Sequence, residues 1–346
     1  MAPPSMRAAF SRGGQRLEVA RVPIPEPGPG EVRIRVHACG VCGSDLHLFN
    51  AGLLPPGRTP GHEMAGEVDI VGDGVAGLAA GQRVAVEPLD SCGRCPACRA
   101  GRDSICPQLE VFGIHRNGGF AEYVNLPARR VFRVADDLDP QLAALTEPMA
   151  VAVHGLQRGG FSPGQRVIVL GAGSLGLVSA VAARALGAGE VWLTARYPHQ
   201  VELGAELGAT RVLGEAEAGP LELARLGREV GFDLVVETVG GTADTLRAAA
   251  AAVRPGGTIA VLGLFLGDVT LDPLTAFMKE ATLAWSNCYA HPHEGADFET
   301  AARLVDAERA ALSRLLTHAV PLDEIARAFT LASDRKAGAV KVTVLP

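Results

Sequence analysis

The sequence predicts an α/β protein in which a β-rich first part precedes a doubly wound parallel sheet. Short strand patterns separated by glycines fill the chain up to about residue 150. From there, buried strands alternate with helices, as in parallel sheets that carry helices on both faces. The length of 346 residues fits about two domains.

The first part is expected to form strands because apolar and polar residues alternate in it. The clearest alternation runs from Glu31 to His37, and shorter strands are expected at Val68 to Val71 and Arg83 to Val86. Prolines at every second position from Pro23 to Pro29 argue against a helix before the first of these strands.

The second part predicts the parallel sheet, and the final part adds helices and a last strand. The expected strands are Arg166 to Leu170, Glu190 to Thr194, Asp233 to Glu237, Thr258 to Gly263 and, at the end of the chain, Ala339 to Leu345. The expected helices are the segment ending near Leu186, Gln200 to Leu207, Thr242 to Val253, Phe298 to Val305 and Leu322 to Leu331.

Composition and charge narrow the function classes. Apolar residues make up 48% and charged residues 20%, which is ordinary for a globular protein with a large core. A net charge of −6 without basic stripes argues against nucleic acid or a membrane surface as the partner. No signal peptide is visible, and the uncharged run Val167 to Ala183 is interrupted by glycines, which favours a buried strand, turn and helix over a membrane span. Seven cysteines without an export signal predict a cytoplasmic protein.

Four cysteines have the spacing of a structural zinc site. They follow the pattern C-x2-C-x2-C-x7-C and are Cys92, Cys95, Cys98 and Cys106. Four thiolates complete a tetrahedral zinc and leave no position for substrate. A disulfide-bonded loop is disfavoured because nothing else indicates secretion. An iron–sulfur cluster is disfavoured because the surrounding run lacks the ferredoxin pattern.

A glycine turn predicts a dinucleotide site. The run Gly171-Ala172-Gly173-Ser174-Leu175-Gly176 lies between a predicted strand and a predicted helix. Glycines there permit a tight turn and close approach of a pyrophosphate to the helix N-terminus, whose free N–H groups favour an anion.

The end of the next predicted strand bears on the choice between NAD and NADP. NAD-binding folds place a carboxylate there for the ribose hydroxyls, but this chain has Ala195 followed by Arg196 and Tyr197. An arginine would pair with a 2′-phosphate, so the sequence favours NADP over NAD. In the alternative interpretations, Arg196 is a solvated surface residue or stacks on the adenine.

Three fragments together favour a second, catalytic zinc, although each residue alone has a structural interpretation. Cys42 could be a small buried apolar residue, His62 a core histidine and Glu147 a carboxylate at a helix start. Cys42 and His62 offer a thiolate and an imidazole, and Glu63 or Glu147 can add an oxygen. Three protein ligands with one open position are typical of catalytic zinc. Cys288, His291 and His293 also resemble a metal cluster, but no fourth donor lies at useful spacing, and a third site is not predicted.

Together these motifs resemble the zinc-dependent medium-chain alcohol dehydrogenases, in particular the polyol, butanediol and threonine dehydrogenase branch. The resemblance covers essentially the whole chain and rests on six motifs: Gly40-Val-Cys-Gly-Ser-Asp-Leu-His47, Pro60-Gly-His-Glu63, Cys92 to Cys106, Gly118-Gly-Phe-Ala-Glu-Tyr123, Glu147-Pro148, and Gly171 to Gly176.

The resemblance implies the domain organisation. Residues 1–149 and 289–346 would form a GroES-like β-barrel catalytic domain, with the zinc-binding cysteines on a lobe at about residues 88–110. Residues 150–288 would form a Rossmann domain for NAD(P). A homodimer or homotetramer is the usual state in this branch.

The resemblance also implies roles for individual residues. Cys42 and His62 would bind the catalytic zinc with Glu63, while Glu147 would bind the metal directly or through water. Asp45 would orient the ring of His62. Ser44 would hydrogen-bond the reacting oxygen of the substrate, and His47 would end a proton relay to solvent.

The implied activity is hydride transfer between a secondary alcohol or polyol, or its ketone, and the nicotinamide cofactor, with two zinc ions per chain. A non-catalytic redox sensor or scaffold with the same binding sites is the alternative from another class. A zinc-free quinone reductase of the same superfamily would lack the cysteine lobe. Loss of turnover in a folded Cys42→Ser variant would separate the zinc-dependent dehydrogenase from these two alternatives.

Overall fold

The computed structural model describes residues 4–291 and 296–346, which divide into two units. One unit comprises Met1–Glu147, Ala290–Arg309 and Leu316–Pro346, and the other comprises Pro148–Tyr289 and Ala310–Leu315. The predicted α/β class is confirmed, since the first unit is built on a mainly antiparallel sheet and the second on a parallel one.

The strands in chain order are β1 (Ser5–Ser11), β2 (Leu17–Pro23), β3 (Glu31–Gly40), β4 (Glu63–Val71), β5 (Arg83–Val86), β6 (Leu89–Asp90), β7 (Glu110–Val111), β8 (Tyr123–Pro127), β9 (Val131–Arg133), β10 (Arg166–Leu170), β11 (Glu190–Thr194), β12 (Arg211–Leu213), β13 (Phe232–Glu237), β14 (Val253–Val261), β15 (Thr282–Trp285), β16 (Leu316–Pro321) and β17 (Lys341–Leu345).

The helices are α1 (Gly43–Asn50), α2 (Pro96–Arg99), α3 (Pro140–Ala144), α4 (Thr146–Arg158), α5 (Ser174–Ala185), α6 (Pro198–Glu206), α7 (Pro220–Glu229), α8 (Thr245–Ala252), α9 (Pro273–Met278), α10 (Asp297–Ala307), α11 (Arg309–Leu312) and α12 (Ile325–Ser333).

In the first unit, β3 organises the main sheet. The strand order is β16-β17-β3-β4-β5-β9, and β8 also pairs with β3. The predicted apolar face of β3 is buried, with Val32, Ile34 and Val36 in the core. Because β3 pairs with both β4 and β17, Gly40 lies opposite Glu63 on one side and opposite Thr343 on the other. β3 therefore lies between the last strand of the chain and the strand that begins at Glu63.

In the second unit, six parallel strands follow the order β12-β11-β10-β13-β14-β15. The order reverses between β10 and β13, and ligands of such sheets bind at the carboxyl ends of the strands near this point. The glycine turn follows β10 there. Residues 167–183 form β10, this turn and most of α5, and no helix in the described part of the chain is long and apolar enough to cross a membrane.

Some predicted bounds differ from the structure. The helix expected from Thr242 begins at Thr245, directly after its N-cap residue Asp244. A turn precedes it, in which Gly240 and Gly241 have positive φ angles of 60° and 65°. The helix expected from Leu322 opens with a 3₁₀ turn and becomes α-helical at Ile325. The hairpin of β1 and β2 was not predicted.

Candidate functional site

The four cysteine sulfurs are grouped around one point. Their Sγ atoms all lie within 4.8 Å of one another, with separations of 3.5 Å between Cys95 and Cys98 and 3.9 Å between Cys92 and Cys98. A disulfide would bring two sulfurs to about 2.05 Å. All four are free thiols. Sulfurs that share a tetrahedral zinc at about 2.3 Å are about 3.8 Å apart, so the donor set fits this ion.

The local backbone favours negative charge on some of these sulfurs, whereas burial raises the pKa of Cys98 to about 12. Cys95 precedes α2, and its Sγ accepts a hydrogen bond from the Cys98 N–H at 3.4 Å. Cys106 Sγ accepts from the Cys92 and Gln108 N–H groups. Hydrogen bonds from the Arg94 and Cys95 backbone lower the pKa of Cys92 to about 6. N–H donors of this kind stabilise a thiolate, the form that binds metal.

A second polar cluster lies where α1 begins and β4 begins. Cys42 precedes α1, and its N–H donates to Asp45 Oδ2 at 3.0 Å, which holds the first turn. Asp45 is fully buried, and its Oδ1 lies 3.4 Å from His62 Nδ1. Ser44 Oγ lies 3.3 Å from Nε2 on the other side of the same ring. The carboxylate therefore flanks one ring nitrogen and the hydroxyl the other.

The electrostatics of this cluster favour a charged His62 ring. Burial lowers the pKa of His62, but the neighbouring Asp45 and Cys42 raise it by more, and the result lies well above the usual value. A cation therefore suits this position, since the carboxylate and the thiol both attract positive charge.

Glu63 is paired with Lys341, a residue that the sequence did not predict as part of the site. Lys341 Nζ donates to Glu63 Oε2 at 2.6 Å, and each side chain is only 2% exposed. Gly40 makes room for this carboxylate, because a Cβ atom there would lie 2.0 Å from the same oxygen. A lysine in the apolar strand β17 was the available signal, since a lysine is almost never fully buried without a partner.

Glu147 lies in the first turn of α4 and is buried. Burial raises the pKa of Glu147 to about 7, with Glu63 and Asp45 adding to the rise and His62 and Lys341 opposing it. A pKa near neutrality means that the surrounding protein only partly stabilises the negative charge of this carboxylate.

The structure does not gather all the expected donors of a catalytic metal. In residues 4–291 and 296–346, the four cysteines are the one group of three or more donors lying within 4.8 Å of one another. Cys42, His62, Glu63 and Glu147 form no such group; the Glu63 carboxylate is bonded to Lys341 instead.

His47 lies on α1, one turn after Ser44. Burial and the nearby Arg335 lower the pKa of His47, so the ring is neutral at neutral pH. Its Nδ1 is buried and has no hydrogen-bond partner among the described residues. A neutral ring with an open nitrogen can accept a proton.

The glycine turn between β10 and α5 forms a cradle. Gly171 has a φ of +100°, and a Cβ at Gly176 would lie 1.8 Å from the Gly171 carbonyl oxygen. By contrast, a Cβ at Gly173 would meet nothing within 4 Å, so open space faces the start of α5. Ser174 and Leu175 form the first turn of that helix, and Ser174 Oγ is buried without a partner in the described chain. These features fit an anion at the helix N-terminus.

Arg196 and Tyr197 follow β11 at the same edge of the sheet. The guanidinium carbon of Arg196 lies 5.8 Å from the centre of the Tyr197 ring. Its Nε lies 3.3 Å from Oε1 of Glu215, a carboxylate that follows β12. Glu215 was not predicted to lie near Arg196, because β12 is a strand of three residues that the sequence did not predict.

His291 belongs to a buried ionic network. Arg130 donates to Glu87 and Asp103 at 2.6 Å each, and His291 Nε2 lies 2.9 Å from Glu87 Oε1. Cys288 contacts Asn287, and His293 lies outside the described residues. His291 therefore has a partner other than a third metal.

Known families match both parts of the chain. Residues 28–136 match the alcohol dehydrogenase GroES-like domain, and residues 174–307 match the zinc-binding dehydrogenase family. Sorbitol dehydrogenase of Bacillus subtilis is 33% identical, and the match covers 99% of this chain and 98% of the relative. L-threonine 3-dehydrogenase of Pyrococcus horikoshii is also 33% identical, and the match covers 95% of this chain and 96% of the relative.

A solved structure from Sinorhizobium meliloti, described as a zinc-binding dehydrogenase bound to NADP, has the same fold. Its TM-score is 0.89 with 34% identity, and the match covers 99% of this chain and 100% of that one.

Proposed function

Because this chain belongs to the zinc-dependent medium-chain alcohol dehydrogenase family, we propose that it transfers a hydride between a secondary alcohol or polyol, or the matching ketone, and a nicotinamide cofactor. The observation that carries the proposal is the buried His62 ring, which Asp45 flanks at one nitrogen and Ser44 at the other. Sorbitol and threonine dehydrogenases among the relatives support this substrate class.

Cys42 and His62 are the proposed protein ligands of a catalytic zinc, and Glu147 is the proposed third. Glu63 is neutralised by Lys341, whereas the charge on buried Glu147 is only partly stabilised. A zinc ion held there would polarise the substrate oxygen and lower the pKa of a bound alcohol. Asp45 would fix the orientation of the His62 ring.

Ser44 and His47 are the proposed route for the substrate proton. The Ser44 hydroxyl is positioned beside His62, where it can accept a hydrogen bond from the reacting hydroxyl group. His47 is neutral with an open nitrogen, so it can take up the proton and release it to water.

We propose a second, structural zinc at Cys92, Cys95, Cys98 and Cys106, which gives two zinc ions per chain. The mutual distances of the four sulfurs support it. A closed shell of four thiolates binds no substrate, so this ion would stabilise the lobe.

For the cofactor, NADP is proposed over NAD. The glycine turn and the start of α5 would hold the pyrophosphate, and Arg196 would pair with the 2′-phosphate, with Tyr197 beneath it. The free thiols of all seven cysteines support a cytoplasmic location.

The Cys42→Ser variant tests the proposed activity. Oxidation of NADPH with a panel of ketones should fall by at least about 100-fold, because the ligand that holds the metal is lost. Circular dichroism and the melting temperature control for the fold. Unchanged turnover in a folded variant would contradict the proposal and favour chemistry without the metal.

A further inference from the structure

Arg196 carries a competing partner within its own unit. Its Nε lies 3.3 Å from Glu215 Oε1, and the two side chains are 71% and 70% exposed. An ion pair this exposed contributes little to stability and opens readily. The contact is therefore unlike the buried pair of Glu63 and Lys341, and a ligand can compete for the arginine.

The register of the sheet explains why these two residues meet. Thr194 on β11 pairs with Leu213 on β12, and the Ala195 N–H donates to the Leu213 carbonyl at 2.8 Å. Arg196 and Glu215 each follow two residues after this pair, so the parallel strands deliver them side by side. The turn that carries Glu215 is itself held, because the Gly214 N–H donates to Glu217.

Arg196 is also positioned by contacts with residues other than Glu215. The Arg196 and Tyr197 N–H groups both donate to Gln200 Oε1 at 3.3 Å, which fixes the backbone at the start of α6. The Tyr197 ring lies beneath the guanidinium and stacks on His199 at 5.7 Å. Glu215 is thus not required to position Arg196, and its carboxylate adds negative charge where a 2′-phosphate would bind.

Building on the NADP site proposed above, we propose that Glu215 sets the cofactor preference by competing with the 2′-phosphate for Arg196. A dianionic 2′-phosphate that binds the guanidinium must either displace the Glu215 carboxylate or lie beside its negative charge. Either outcome weakens the binding of NADP. NAD carries no charge at that position and has no such conflict. The chain therefore favours NADP less strongly than Arg196 alone would allow.

The test is fluorescence titration of the purified holoenzyme with NADPH and with NADH. Glu215→Gln should lower the Kd for NADPH about three- to tenfold, because it removes one unit charge beside the phosphate. The Kd for NADH should stay within about twofold. Glu229→Gln is the matched control: it removes an exposed, paired carboxylate from α7 and should change neither Kd.

Arg196→Gln and the double variant separate this inference from the cofactor proposal. Arg196→Gln should raise the Kd for NADPH. In the double variant Arg196→Gln/Glu215→Gln, the Kd for NADPH should be no lower than in Arg196→Gln alone. An unchanged NADPH Kd in Arg196→Gln would overturn the NADP site itself. If Arg196→Gln binds NADPH more weakly while Glu215→Gln binds it as well as or more weakly than the wild type, the competition between Glu215 and the 2′-phosphate is refuted. The NADP site itself would then stand. Loss of NADH binding in Glu215→Gln would also overturn it and would make Glu215 the acceptor for the ribose hydroxyls.

Discussion

At the residue scale, buried charged side chains have a strong effect on the stability of the fold. Lys341 and Glu63 lie 278 positions apart in the sequence yet form one ion pair in the core of the first unit. A buried pair of this kind adds little net stability, but either charge without its partner is costly.

Removing the lysine should therefore destabilise the fold strongly. Lys341→Met leaves the Glu63 carboxylate buried and unpaired, and we expect a loss of about 3–5 kcal/mol in the free energy of unfolding, measured with urea. The double variant Lys341→Met/Glu63→Gln should recover most of that loss. A loss below about 1 kcal/mol in the single variant would show that the pair is not buried as described.

His291 should make stability depend on pH. Burial lowers the pKa of His291, but its bond to Glu87 raises it above the usual value. A raised pKa means that the charged ring stabilises the fold below the unfolded-state pKa, and this contribution disappears as pH rises through the folded-state pKa. The melting temperature of His291→Gln should therefore lie below that of the wild type at pH 6, and the gap should narrow toward pH 9.

His37→Gln is the control of opposite sign, because burial lowers the pKa of His37. The melting temperature of His37→Gln, relative to that of the wild type, should fall as pH rises from 6 to 9, whereas that of His291→Gln should rise. A gap for His291→Gln that widens with pH would contradict the charge assignment.

At the scale of elements, Arg130 joins the cysteine lobe to the sheet. It ends a 3₁₀ turn before β9 and bonds to Glu87 after β5 and to Asp103 in the lobe. The guanidinium pairs with two buried carboxylates at once, so ionic contacts of Arg130 attach the lobe to the sheet.

Its neighbour provides a matched comparison. Arg130→Met should cost about 3–5 kcal/mol of unfolding free energy, because the buried carboxylates lose their partner. Arg129→Met removes an exposed arginine paired with Asp90 and should cost less than about 1 kcal/mol. Equal losses in the two variants, measured by urea unfolding, would refute the bridging role of Arg130.

The sequence predicted elements best where burial is continuous. β10 and β11 have the predicted bounds, because an uninterrupted apolar run admits few other structures in an alternating pattern. β12 and β15 are short strands of three and four residues that lie at the two edges of the sheet, and neither was predicted. Contacts such as Glu63 with Lys341 and Arg196 with Glu215 depend on strand pairing, which local patterns do not reveal.

At the scale of the whole molecule, exposed apolar groups are concentrated in one segment of the second unit. They are Leu264, Leu266, Val269, Leu274, Phe277, Met278 and Trp285. The same segment ends in β15, the edge strand of the parallel sheet. Exposed apolar patches and open strand edges commonly mark association sites.

The chain is accordingly expected to form a homodimer or homotetramer through this segment. Light scattering after size-exclusion chromatography should give two or four chains, and Phe277→Asp should shift the population toward smaller species. A monomer in the wild type, or an unchanged mass in the variant, would place the association elsewhere or exclude it.

The zinc content of the purified protein tests the central claim most directly. Elemental analysis should give two zinc ions per chain in the wild type and one in either Cys42→Ser or Cys106→Ser, because each variant loses one site. A single zinc in the wild type that Cys42→Ser retains would show that Cys42, His62 and Glu147 do not bind the metal, and the proposed zinc-dependent reaction would be contradicted.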